Sequence, residues 1–167
     1  MIYTETIYMR KTWIMVMVLI SMFTALGISV QAVFASGGSP DYSTLAIVAG
    51  IELLVLALIF FIRLRFSLTK AGIYYRYFPF HFREYFIPWE NVLSAGGRNY
   101  SPLTEYGGWG IKGTKKNRAY NVSGSFGLQL YLADGKKVLF ESNHPEEIKS
   151  AIEKIREFYP QLQSVSA

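Results

Sequence analysis

Cysteine is absent from the 167 residues, and histidine is limited to His81 and His144. The first absence excludes disulfides, thiolate zinc sites and cysteine nucleophiles. The two histidines lie far apart without ligand-spaced partners, so the sequence gives no support for a metal site. No serine sits in a nucleophile-elbow pattern, and no paired carboxylates recur in a catalytic setting. The glycine-rich stretch from Ser94 to Gly108 lacks the spacing and the strand-then-helix setting of a phosphate-cradling loop. It reads as a folded-back surface connection. These absences argue against an enzyme, and no cofactor is implied.

Charge is also missing from one long stretch. Residues 13 to 62 carry only Asp41 and Glu52, although the chain is +5 overall. Two apolar runs fill this stretch. Trp13 to Phe34 would span about 33 Å as a helix, and Leu45 to Ile62 about 27 Å. A hydrocarbon core is about 30 Å thick. One central charge costs roughly 2.5–3.5 kcal/mol of insertion energy, less than the Leu, Ile, Val and Phe residues around Glu52 supply.

Orientation follows from flanking charge. Arg10 and Lys11 precede the first run, Arg63, Arg65 and Lys70 follow the second, and Ala35 to Thr44 between them holds no basic residue. The positive-inside rule then puts both ends in the cytoplasm. The expected organisation is a cytoplasmic tail at 1–12, a first transmembrane helix at 13–34 and an external loop at 35–44. A second transmembrane helix at 45–62, a cytoplasmic domain at 63–160 and a tail at 161–167 follow. A cleaved signal peptide over residues 1 to 35 is the rival reading, with Val33-Phe34-Ala35 as its cleavage site.

From Leu64 the pattern becomes one of short strands. Leu64, Phe66 and Leu68 alternate with Arg65 and Ser67, a turn follows at Thr69 to Gly72, and Ile73 to Phe80 is an aromatic strand. Tyr85 to Ile87 stops at Pro88, and weaker strands are expected over 92–99, 109–112 and 118–122. Phe126, Leu128, Leu130 and Leu132 alternate before Asp134-Gly135, which predicts a type I′ hairpin returning through Val138 and Phe140. Pro145 opens a helix in which Ile148, Ala151, Ile152, Ile155 and Phe158 form one apolar stripe, and Pro160 closes it. That stripe needs a sheet to cover. The fold class is α+β.

Three motifs stand in this order: Ile87-Pro88-Trp89-Glu90-Asn91-Val92, Gly107-Gly108-Trp109-Gly110-Ile111-Lys112, and Asp134-Gly135 followed by Pro145-Glu146-Glu147-Ile148. Together with the strand-then-helix order, they resemble bacterial membrane-anchored pleckstrin-homology-like (PH-like) proteins. The resemblance covers about residues 64 to 158. It implies a two-helix transmembrane hairpin followed by a seven-strand PH-like barrel or sandwich, capped by the C-terminal helix.

Two sets of candidate residues emerge. Arg65, Lys70, Arg76 and Arg83 are candidates for anionic headgroups, at about 1 kcal/mol per residue near the surface. Strand alternation is expected to split them, since Arg65 and Arg76 need not share a face. Gln31 and Glu52 are intramembrane polar residues that can meet across the hairpin. Lys112, Lys115, Lys116 and Arg118 read as a solvated hairpin tip rather than a nucleic-acid surface. The functional expectation is a non-catalytic module that binds a protein, peptide or lipid headgroup at the inner face. The alternative is a membrane assembly in which Glu52 and the helices carry the function.

Overall fold

Residues Tyr3–Tyr8, expected as part of a tail, form a strand (β1) that alternates buried and exposed side chains. The computed structural model describes residues 1–9, 12–35 and 42–165. It divides into two units: Met1–Tyr8 with Ile62–Ala167, and Met9–Phe61. The sheet-bearing unit is therefore discontinuous in sequence, with the helical unit inserted between its first and second strands.

The helical unit consists of α1 (Thr12–Ala35) and α2 (Tyr42–Phe61), which contact each other. Within α1, the 21 residues of Met15–Ala35 are long and apolar enough to cross a membrane. The apolar stretch of α2, Ala46–Phe61, is shorter, about 24 Å at the helical rise. Both helices leave large apolar side chains uncovered, among them Phe23, Ile28, Leu53 and Leu54. Three hydroxyls of α1 bond back into its own turns: Ser21 to the Val18 carbonyl at 2.8 Å, Thr24 to Ile20 at 3.0 Å and Ser29 to Ala25 at 2.9 Å. The residues between the helices, 36 to 41, lie outside the described residues, as do Arg10 and Lys11.

The other unit continues with β2 (Arg63–Leu68), β3 (Gly72–Phe78), β4 (Tyr85–Pro88) and β5 (Val92–Asn99). A short helix, α3 (Pro102–Tyr106), leads to β6 (Gly110–Gly113), β7 (Asn117–Asn121), β8 (Phe126–Leu132) and β9 (Lys137–Glu141). Then come α4 (Pro145–Phe158) and β10 (Gln163–Ser164). The first sheet has the order β1-β2-β3-β4 and the second β10-β5-β8-β9-β7-β6. The described residues thus hold ten strands in two sheets and no closed barrel, where seven strands were expected. Two of the additional strands come from the presumed tails: β1 pairs antiparallel with β2, and β10 pairs parallel with β5.

The two sheets meet through aromatic side chains. Phe66 stacks on Phe140 at 5.7 Å between ring centroids, Tyr75 lies 4.9 Å from Phe140, and the Tyr77 hydroxyl donates to the Asn121 carbonyl at 3.0 Å. Alternation on β2 and β3 therefore sends Leu64, Phe66, Ile73 and Tyr77 into the core. The α4 stripe is buried at Ile148, Ala151, Ile152 and Ile155, but Phe158 is exposed. Its ring instead receives the Lys70 ammonium at 4.5 Å.

The β8–β9 turn also differs from expectation. Only Gly135 has positive φ, at 78°, and Leu132 N–H donates to the Lys136 carbonyl at 2.8 Å. The loop is thus three residues long with glycine in the left-handed position, because Asp134 is spared the positive φ that a type I′ turn demands. Part of the Ser94–Gly108 stretch is β5; the remainder holds α3, whose Tyr106 joins Tyr100, Ala119 and Leu139 in a second apolar cluster.

Candidate functional site

The outward face of the first sheet carries an unusual row of side chains. Register places Thr6 opposite Arg65 and Arg65 opposite Arg76. The next row sets Tyr8 opposite Arg63 and Arg63 opposite Phe78. With Glu84 these residues line a depression of about 370 Å³. The expected separation of Arg65 from Arg76 is therefore corrected. Thr69 N–H bonds to the Gly72 carbonyl at 2.9 Å and fixes Leu68 opposite Ile73. Counting back three pairs from this turn brings Arg65 and Arg76 face to face.

Two contacts hold the guanidinium groups over the sheet. Arg76 Nε donates to the His81 carbonyl at 3.1 Å. The Phe78 ring lies 5.4 Å from the Arg63 guanidinium carbon and 5.6 Å from that of Arg76. None of the ion pairs among the described residues involves Arg63, Arg65 or Arg76. Like charges directly opposite in a sheet destabilise it. Three arginines against one glutamate leave the lining with a net charge of +2. Such a face attracts an anion and, through the fork geometry of guanidinium, suits phosphate or carboxylate.

The segment between β3 and β4 borders this face. His81 Nδ1 accepts from the Tyr77 N–H at 3.3 Å, and the imidazole lies 4.6 Å from the Tyr85 ring and 5.5 Å from the Tyr120 ring. Burial, then the positive charge of Arg118, hold the His81 pKa below its ordinary value. Phe80 and Phe82 in the same segment are 62% and 85% exposed.

The other expected residues sit elsewhere. Arg83 is exposed in the β3–β4 segment but does not line the depression. Lys70 belongs to the β2–β3 turn, at the opposite end of those strands, and is engaged by Phe158. In the helical unit, Gln31 is exposed, whereas Glu52 is partly covered and its Oε1 is buried without a hydrogen-bond partner. The expected Gln31–Glu52 contact is not among the hydrogen bonds of the described residues. Lys115 and Lys116 are exposed at the β6–β7 tip, as expected. Among the described residues, no group of three or more His, Asp or Glu is placed to hold a metal ion.

Sequence reasoning missed Thr6, Tyr8, Phe78 and Glu84 as neighbours of the arginines. Two of them precede α1 and were assigned to a tail. Comparison with protein-family models gives no match, and comparison with curated protein sequences gives none either.

Proposed function

We propose that the protein is a non-catalytic, membrane-anchored recognition module. In this reading α1 and α2 cross the membrane as a hairpin with both chain ends at the cytoplasmic face. The sheet unit is a PH-like fold that engages its ligand there. The arginine-lined face of the first sheet carries the proposal, because its three guanidinium groups face one carboxylate and make no ion pair among the described residues, which leaves an accessible cationic surface for an anion. Several features support anchoring. Apolar surface is left uncovered on both helices, hydroxyls in α1 satisfy themselves within the helix, and basic residues flank the pair but not its connecting loop. The order of strands closed by α4 supports the PH-like assignment.

Cysteine labelling tests the anchored reading cleanly, since the chain contains no cysteine of its own. Ser39→Cys should react with a membrane-impermeant maleimide on intact cells. Thr114→Cys, at the exposed β6–β7 tip, should react only after the membrane is opened. Labelling of Thr114→Cys on intact cells would overturn the orientation.

One observation favours a second reading, in which the helices assemble with other helices and carry the function. Glu52 Oε1 is buried with no donor, and a donor from a partner helix would satisfy it. Glu52→Gln separates the two readings: ligand binding at the sheet unit should survive it, whereas a helix-borne activity should not.

A further inference from the structure

We infer that the Arg63–Arg65–Arg76 depression binds the phosphate of an anionic phospholipid in the membrane that the chain's own helices occupy. This inference rests on the anchored reading above and names the ligand of the same face.

The charge argument comes first. Arg65 and Arg76 are register partners on neighbouring strands, so their backbones stand about 4.8 Å apart. Arg63 lies two residues from Arg65 on the same face, about 6.6 Å along the strand. A phosphate centred over this triangle receives guanidinium donors from three sides. Arg76 spends Nε on the His81 carbonyl, an arrangement that fixes its plane and leaves its terminal nitrogens for a ligand. The Thr6 hydroxyl adds a neutral donor at the rim. A volume of about 370 Å³ lies at the small end of the range for ligand sites, roughly 300–1,000 Å³, and suits a headgroup rather than a large cofactor.

Chain connectivity points to a lipid as the source of that phosphate. Arg63 follows Phe61, the last residue of α2, by two positions, so it lies within about 7 Å of the helix end. Tyr8, its partner across the strands, precedes Thr12 of α1 by four positions, a reach of about 14 Å. On the anchored reading, links of two and four residues tether this face to the ends of both helices, so headgroups are within its reach. Phe80 and Phe82, in the β3–β4 segment that also carries Glu84 of the lining, are exposed, and a membrane interface would cover their apolar rings.

The test uses the full chain in a neutral detergent, with its thermal midpoint followed as short-chain dioctanoyl lipids are added. Dioctanoyl phosphatidylglycerol should raise the midpoint saturably. Zwitterionic dioctanoyl phosphatidylcholine should not, and inorganic phosphate should act only at much higher concentration. The double variant Arg65→Gln/Arg76→Gln should shift half-saturation at least tenfold, whereas Lys70→Gln should leave it unchanged. Without lipid, the double variant should still unfold in one cooperative transition, so that a weakened lipid response is not a loss of fold. Equal half-saturation in wild type and the double variant would overturn the inference. Inorganic phosphate saturating at the same concentration as the lipid would overturn it in favour of a soluble phosphate ligand. A poly-glutamate peptide binding more tightly than the lipid would overturn it in favour of an acidic protein partner. The cysteine labelling reports on anchoring separately, so a correctly oriented chain that fails these titrations refutes the lipid site alone.

Discussion

The Ser142 hydroxyl donates to the Glu5 carboxylate at 2.6 Å, joining a strand that precedes the helical unit to the approach of the final helix. The other carboxylate oxygen accepts from the Asn143 N–H at 2.8 Å, and the Tyr3 hydroxyl donates to Glu5 at 2.7 Å. Glu5 is almost fully buried. Its three donors make it a polar clasp between the first sheet and the start of α4. Replacing Glu5 with Ala leaves the buried Ser142 hydroxyl without its acceptor, at about 1–3 kcal/mol, and removes the acceptor of the part-buried Tyr3 and Asn143 donors as well. Glu5→Ala should therefore lower the urea midpoint of the sheet unit, followed by tryptophan fluorescence, well below that of Ser142→Ala. Equal midpoints for Glu5→Ala and wild type would show that β1 is not held this way.

The insertion of the helices between two paired strands leads to a second prediction. Tyr8 and Arg63 are register partners in antiparallel β1 and β2. Replacing residues 9 to 62 with Asn-Gly should close these strands into an ordinary hairpin. The product should be soluble and unfold cooperatively. Residues 62–165 alone should not, because Leu64 and Phe66 would lose the neighbouring strand that covers the edge of the sheet. If the shorter fragment folds as stably as the rejoined one, β1 is an accessory strand rather than part of the core.

A third prediction concerns α4. Ile152 is buried with Ile148 and Ile155 on the stripe that covers the sheet unit, and Arg156 donates to the Ala95 carbonyl at 2.9 Å on the same helix. Ile152→Asp buries a carboxylate without a partner, at a cost of several kcal/mol against a total domain stability of about 5–15 kcal/mol. The rejoined sheet unit carrying this change should be largely unfolded by near-UV circular dichroism. Phe158→Ala, on the exposed end of the same stripe, should be mild and act mainly by freeing Lys70.

The contrast between Ile152 and Phe158 shows where the sequence was legible. Helical periodicity identifies the stripe but cannot say where the sheet beneath it ends, so Phe158 looks like core and is not. The strands of the hairpins around 69–72 and 133–135 were readable because alternation and turn chemistry are local signals. β1 was not readable, because Tyr3-Thr4-Glu5-Thr6 pairs with residues beyond both apolar helices, and no local pattern encodes that pairing. The arginine face failed for a related reason. Its members were recognised singly, but their meeting depends on register, and a turn read at Thr69–Gly72 does not by itself say that Leu68 pairs with Ile73. Alternation with Phe126, Leu128 and Leu130 does not reveal that Gln129 is buried too; α3 brings Tyr106 to its side chain, and its amide donates to the Leu130 and Val138 carbonyls.

The last prediction follows from the proton on His81. Its Nδ1 accepts the Tyr77 N–H, so the folded ring is neutral with its proton on Nε2. Burial and then Arg118 keep its folded pKa below the ordinary value of about 6.5. A group whose folded pKa is depressed stabilises the fold above its unfolded pKa and loses that contribution as pH falls. The unfolded chain takes up the proton first, so unfolding becomes easier below about pH 6.5. Protonation also removes the acceptor for Tyr77 and adds positive charge among Tyr75, Tyr85, Tyr120 and Arg118. Asparagine at this position keeps an acceptor near Nδ1 but does not titrate. Between pH 7.5 and 5.5 the wild-type thermal midpoint should fall more than that of His81→Asn. If the two midpoints fall in parallel, the acid sensitivity of the sheet unit has another origin.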